Sequence, residues 1–434
     1  MEEEVVKRKN VFRIKNFTLA FLGALVSNMG NIIYSFAVSF YILALTNNNA
    51  FIQGAYLATG GIVYLLVTLF GGVISDRFNK GKIMYICDYI KGAVLIGFTL
   101  ILMLVIKENN AKVVVLFVIA VISNIIAAIF SPAAGSLLPH IVPEESLQQA
   151  QSYYSALSSF QGIIGIVIAG VLYSVLSMNV LFLIVGACYI GSGISEMFIK
   201  YDYEKKDERL TLKTVFTDIG SGIKYIFNIK PVLYLVICIL FINFFITPIS
   251  SNFIPYFIAT DVKGSDYLFK SFIEPEMWQS IIEVVTALAM GVMSIIISMK
   301  EMKKNISKGL RIQFVLFSLV ILGLSMSYVL FNQNLYGINT LLIMLCCGSL
   351  LMGLVLPNIN IPISTTLMTI VDKDKLGKVM SVMDISSQGL IPLANLLAGV
   401  AITYLGVSAL LIICTIGLII TTIFVTLNKE IGKL

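Results

Sequence analysis

Charge is scarce in this sequence. Of its 434 residues, 12% are Asp, Glu, Lys or Arg, against 58% that are hydrophobic. A water-soluble domain could not hide so much apolar surface, so an ordinary soluble globular protein is excluded. Histidine is scarcer still. The chain has one, His140, in a stretch that reads as a loop beside Pro139 and Pro143 and suits a surface or interfacial role. Histidine triads and His-rich metal sites are thereby excluded. Glycine-rich phosphate loops of either common type are absent, as are HExxH and G-x-S-x-G. Without a nucleotide loop this chain does not drive work with ATP by itself, which leaves an ion gradient or the solute's own gradient. The six cysteines (Cys87, Cys188, Cys238, Cys346, Cys347 and Cys414) lie in apolar runs, with the spacing of neither a metal site nor a disulfide framework. They read as small buried hydrophobes. No enzyme constellation and no cofactor motif is present, and the expectation is a chain that is not an enzyme.

Long apolar runs fill the space left by the missing charge. They predict an all-α polytopic membrane protein with about 12 transmembrane helices, near residues 17–45, 53–75, 83–106, 113–138, 149–177, 179–199, 232–258, 277–299, 310–331, 336–367, 378–404 and 407–427. Each run reaches the ~20 residues that a bilayer span needs. The first follows a basic N-terminus and is too long for a signal-peptide core, so it reads as a retained helix.

The net charge of +6 says little about nucleic acid and much about orientation. Of the 30 Lys and Arg, 25 fall before the first span, after the last, or in the loops on that same side, while four (Lys107, Lys112, Lys263 and Lys270) fall opposite and Lys91 lies within a span. Cations gather on the cytoplasmic face, so both termini are expected in the cytoplasm of a cell-membrane protein. The one long connection, 200–231, divides the chain into six-helix halves at 1–199 and 232–434, and its later part has the apolar spacing of a surface-lying helix. The halves also repeat. A shift of 229 residues lays Ile141-Val142 on Ile370-Val371, Leu147 on Leu376, Ser152 on Ser381, Ser158 on Ser387 and Gly170-Val171 on Gly399-Val400. One offset joining equivalent loops points to a parallel duplication.

A compact polar stretch, Gly71 to Lys82, GGVISDRFNKGK, lies between the second and third spans. Such a stretch belongs in a tight turn at a membrane face. Ionisable residues inside spans are costly and so are candidates for function. Glu283 and Asp384 each lie about six residues into the eighth and eleventh spans, and Asp88 and Lys91 lie three apart near one end of the third. Asp88 and Lys91 suit a structural pair on one helix face. Glu283 can serve coupling or reach the outer interface, and Asp384 can serve coupling or partner loop cations such as Lys378. A carboxylate in low dielectric exchanges protons near neutral pH, which is a physical route to proton coupling. In the first span Ser27, Asn28, Asn31, Ser35 and Ser39 form a polar stripe, able to line a cavity or to bond a neighbouring helix. Pro132, Pro357, Pro362 and Pro392 interrupt apolar runs and mark possible bends.

Gly72, Asp76, Arg77, Lys80 and Lys82 resemble the loop signature of the major facilitator superfamily, which joins the second and third helices in that family. SPAAGSLLPHIVPEESLQQAQS (131–152) and PISTTLMTIVDKDKLGKVMSVMDISSQGLIPLANLLAGV (362–400) resemble the drug-efflux branch that includes macrolide exporters. The resemblance implies two six-helix bundles with the pathway between them and proton-driven export by alternating access. It also implies that Asp76 helps latch the bundles on the cytoplasmic side. Two departures stand out. The fifth helix reads Gly165-Ile166-Val167-Ile168-Ala169-Gly170, without the exporters' Gly-Pro, and Asn31 stands where relatives often carry an acid.

The expectation from all this is a monomeric, secondary active multidrug exporter, conferring antibiotic resistance. It exchanges lipophilic small molecules for protons, with Glu283, Asp384 and Asp88 as candidate coupling carboxylates and Asn28, Asn31, Ser35 and Ser39 as candidate cavity lining. The alternatives are an exporter or flippase of one physiological amphiphile, such as a siderophore or lysolipid, and a non-transporting receptor or accessory subunit.

Overall fold

In hydrocarbon every backbone N–H and C=O must be bonded within the protein, and a run of apolar residues therefore closes into a helix. The computed structural model bears this out. It describes residues 11–143, 146, 150, 153–154, 157–158, 160–201, 224, 226–227, 229–298, 307–370 and 387–433, and at 69, 72–73, 76–77, 232, 364–370 and 433 the backbone alone. Among the described residues the regular structure is all helical. In chain order the helices are α1 (Lys15–Leu45), α2 (Ala50–Arg77), α3 (Lys80–Leu104), α4 (Asn109–Ile141), α5 (Ile166–Val175), α6 (Met178–Met197), α7 (Lys230–Thr247), α8 (Met277–Ser298), α9 (Ser307–Asn332), α10 (Ile338–Ile370), α11 (Ile391–Leu405) and α12 (Val407–Leu427). Eleven of these regions are long and apolar enough to cross a membrane, and α5 with the turn before it is a shorter apolar piece.

The irregular turns do not fall at Pro132, Pro357 or Pro362. Pro132 lies inside α4, and Pro357 and Pro362 inside α10, all without a break in helical backbone. Pro392 sits in the first turn of α11, where a missing N–H is no loss. The irregular backbone comes as π-helical turns, at Gln161–Gly165 before α5 and at Pro248–Phe253 and Ile258–Val262 after α7. A π turn adds a residue to the helix and leaves carbonyls differently aimed. Pro248 and Pro255 lie in the second region, whereas the first has no proline at all. His140 is also placed differently from expectation. It lies in the last turn of α4, exposed, with its ring 5.6 Å from that of Tyr201.

By packing, the chain falls into two compact units, Met1–Ala37 with Val63–Leu212 and Val38–Ile62 with Lys213–Leu434. In the first unit, small residues set the helix spacing. A Cβ on Gly92 of α3 would fall 2.7 Å from Ile190 Cγ1 and 2.8 Å from the Gly186 carbonyl of α6. Gly71 of α2 lies against the Ala128 carbonyl of α4 in the same way. In the second unit, Gly54 of α2 meets α11 at Gly399 and the Asn395 carbonyl. A Cβ on Gly61 would fall 2.6 Å from Pro392 Cγ. Residues 38–62 precede the midpoint of the chain yet group with its second half. Residues 202–223, the greater part of the expected central connection, and residues 299–306 lie outside the described residues.

Candidate functional site

The stretch Gly71–Lys82 forms a tighter turn than its length suggests. α2 continues through Asp76 and Arg77, α3 begins at Lys80, and Phe78 and Asn79 alone connect them. The close glycine pair is thus helical. Asn79 caps α3, its Oδ1 accepting the Lys82 N–H at 3.0 Å. Lys80 is buried, and its Nζ donates to the Ser75 carbonyl at 3.3 Å, where a cation satisfies the open carbonyls of a helix end. The Lys80 N–H donates to the Tyr201 hydroxyl at 2.8 Å. The side chains of Asp76 and Arg77 lie outside what is described. So do Asp384 and Lys378, the loop cation expected as its alternative partner.

On α1 the polar stripe divides. Ser27 is buried and donates to the Gly23 carbonyl at 3.0 Å, within its own helix. Asn28, Asn31 and Ser35 lie on an exposed side, and Ser39 is half-buried. Asn28 Nδ2 is 3.5 Å from Gln161 Oε1, and Gln161 Nε2 donates to the Leu25 carbonyl at 2.9 Å, so the π turn before α5 is tied to α1. Asn31 reaches further. Its Oδ1 accepts from Lys91 Nζ of α3 at 3.4 Å and from the Tyr189 hydroxyl of α6 at 3.3 Å. Lys91 Nζ also lies 4.3 Å from the Tyr189 ring centroid, a cation–π contact. One cation, one amide and one phenol thus meet from three helices.

Asp88 lies one turn before Lys91 and the two interact through charge, but no direct ion pair joins them. Lys91 turns to Asn31 and Tyr189, and Asp88 is buried with its Oδ2 unpartnered. Beside it is a residue that the sequence reading passed over, Glu196 in the last turn of α6. Glu196 is fully buried, and neither of its carboxyl oxygens has a hydrogen-bond partner. Ser192, one turn earlier, lies against both carboxyl groups but donates its proton to the Gly23 carbonyl at 3.0 Å. In sequence Glu196 looks like a helix-end charge facing water. The signal that could have raised it is its four-residue spacing from Ser192 and its place inside the predicted span 179–199.

In the second unit Glu283 of α8 accepts a hydrogen bond from Gln279 Nε2 at 2.7 Å and is half-buried. The Asp88 group belongs to the first unit. Among the described residues the one ion pair is Lys263–Glu276 at 3.6 Å. A second polar set went unremarked in the sequence. Gln53 of α2, Asn252 in the first π turn after α7, and Asn395 of α11 are all buried and each keeps unpartnered amide atoms. Asn252 Nδ2 reaches the Asn395 carbonyl at 3.3 Å. Among the described residues no three His, Cys, Asp or Glu side chains converge as metal ligands would.

Helices closed on glycine contacts, with ionisable groups buried inside one helix packet, are the fabric of a membrane transporter. The family model for the Major Facilitator Superfamily matches residues 20–391. The chain belongs to the major facilitator superfamily. This superfamily member is 26% identical over 232 residues to the MFS-type transporter YkuC of Bacillus subtilis, a match covering 51% of this chain and 52% of that protein. It is 28% identical over 177 residues to macrolide efflux protein A of Streptococcus pyogenes, covering 40% of this chain and 42% of that one. It is 26% identical over 161 residues to the staphyloferrin A transporter of Staphylococcus aureus, covering 37% and 40%. The chain thus spans about half, or less, of these three curated relatives. Among solved structures, the nucleoside transporter NupG superposes with a TM-score of 0.73 at 12% identity, covering 95% of this chain and 99% of that one. A bacterial homologue of the iron transporter ferroportin gives 0.68 at 14%, covering 95% and 100%. At such identities these likenesses concern the fold. Family and neighbours alike are transporters rather than enzymes.

Proposed function

We propose that this major facilitator protein exports lipophilic, drug-like compounds across the cell membrane in exchange for protons, by alternating access, with both termini in the cytoplasm. The observation that carries the reading is the 177-residue similarity to macrolide efflux protein A. The exposed stripe Asn28, Asn31 and Ser35 on α1 suits one wall of a cavity: a few polar groups on an apolar surface orient a lipophilic guest without demanding one chemistry. The two-bundle division and the coupling roles of Glu283, Asp384 and Asp88 belong to the same proposal. The test is macrolide flux in proteoliposomes with and without an imposed pH gradient. Uphill macrolide movement that collapses when the gradient is removed supports the reading, and gradient-independent flux or none overturns it.

A second reading is favoured by the similarity to the staphyloferrin A transporter. On that reading the protein moves one physiological amphiphile such as a siderophore. Lys91, held between Asn31 and the Tyr189 ring, would then give an acidic solute a fixed cation. Competition separates the two: several unrelated lipophilic compounds competing for transport supports export of drugs, and one solute displaced by none of them supports the siderophore reading.

A further inference from the structure

We propose that Glu196, together with Asp88 across the α3–α6 contact, forms a proton-binding site in the first unit whose occupancy holds α1 against α6. As the carrier of an exchanged proton the site rests on the antiport reading above; as a proton-binding site it stands on its own.

Glu196 is 0% exposed and Asp88 3%, and three of their four carboxyl oxygens have no hydrogen-bond partner. The neighbouring Ser192 hydroxyl gives its proton to the Gly23 carbonyl, as does Ser27 from α1 at 3.0 Å. The carboxyl group lies hard against the α1 backbone: a Cβ on Gly23 would fall 2.9 Å from Glu196 Cγ and 3.0 Å from its Oε1. α3 presents Cys87, Asp88 and Lys91 to this place, the fifth span presents Tyr154, and α6 itself adds Tyr189. α1 brings the Gly23 backbone and Ser27, with Asn31 on Lys91, all uncharged.

Charge balance decides what the pair does. Two carboxylates face one ammonium, Lys91, and that ammonium is engaged with Asn31 and the Tyr189 ring. With both acids ionised, one buried negative charge has neither a counter-ion nor a donor, a state that costs several kcal/mol. Glu196 also occupies the last turn of its helix, the negative end of the helix dipole. A single proton, taken from water and held by the pair, removes the uncompensated charge. On Glu196 it also supplies an O–H donor beside the open Asp88 Oδ2. Departure of that proton charges the α1–α6 contact and drives it apart. The α1 face carrying Asn28, Asn31 and Ser35 moves with it, so proton occupancy and substrate contact act on one helix.

The test is infrared difference spectroscopy of the full chain in lipid, between acidic and alkaline buffer. A buried protonated-carboxyl stretch is expected in the native protein. It should vanish in Glu196→Gln and shift in Asp88→Asn. An unchanged band in both overturns the site. Should Glu196→Gln fail to fold, Ser192→Ala carries the test, because it removes the hydroxyl from beside both acids. A displaced titration midpoint supports the site and an unmoved one overturns it. A second arm follows proton movement in liposomes supplied with a macrolide. Native proton exchange in folded Glu196→Gln overturns the carrier role. A Glu196 band in a protein whose macrolide flux moves no protons supports the site and overturns antiport instead.

Discussion

Gly23 and Gly54 show how much a missing side chain can decide, and how differently. At Gly23 the atoms in the way belong to a flexible glutamate and a serine. At Gly54 they are the backbone of α11, the Asn395 carbonyl and the Gly399 Cα and N at 3.0 and 3.1 Å, which cannot swing aside. Gly54→Ala should therefore lower stability by about 1–3 kcal/mol through overpacking. Gly97, with nothing within 4 Å of an added Cβ, is the control. Thermal unfolding of the purified protein in detergent should show a lower midpoint for Gly54→Ala than for Gly97→Ala, and equal midpoints would mean that α2 and α11 do not pack this closely. None of this was legible in the sequence, where all 32 glycines look alike. Glu196 escaped for a related reason. A carboxylate near the end of an apolar run is most simply a solvated charge, and only the approach of α1 at Gly23 makes it a buried one.

At the scale of elements the sequence was far more readable, because apolar run length is itself the physical requirement for a span. α12 covers 407–427 as expected, and α1, α8 and α9 differ from expectation by three residues or fewer at either end. Backbone detail was not readable. The π turns depend on how neighbouring helices pull carbonyls out of register, which local composition does not encode. Nor were the bonds between helices. Ser318 and Ser325 of α9 sit seven residues apart, and so do Thr415 and Thr422 of α12. The oxygens meet as Ser318–Thr422 at 2.6 Å and Ser325–Thr415 at 2.7 Å. In an apolar surround such rungs replace water as bonding partner, and each is expected to contribute about 0.6 kcal/mol. A double-mutant cycle on Ser325→Ala and Thr415→Val, read by unfolding free energy, should return a coupling of about that size. Strict additivity would mean that the hydroxyls merely satisfy their own helices, as Thr415 also does by donating to the Leu411 carbonyl at 2.8 Å.

For the whole molecule, the 25-to-4 division of cations predicts which loops face out. Asn48 and Asn334 sit in the expected outer turns, but both adopt positive φ, where a cysteine would be strained. Lys107 and Gln333 serve better. In a background freed of native cysteines, K107C and Q333C should react with a membrane-impermeant thiol reagent added outside intact cells, and K429C should not. Labelling of position 429 from outside would invert the orientation. That orientation then bears on Asp76. The residue lies in the last turn of α2, on the side predicted to be cytoplasmic, and a helix C-terminus is the wrong electrostatic place for an anion unless something positive meets it. A carboxylate kept there at a cost of about 0.3–1 kcal/mol implies a use for its charge. If that use is to hold the two bundles together during one half of the transport cycle, the charge matters to flux and not to folding. Asp76→Asn, nearly the same in shape, should then reach the membrane in native amount while macrolide transport falls steeply. Native flux at equal protein level would mean that the charge has no part in the cycle, and that GGVISDRFNKGK does no more than turn the chain between α2 and α3.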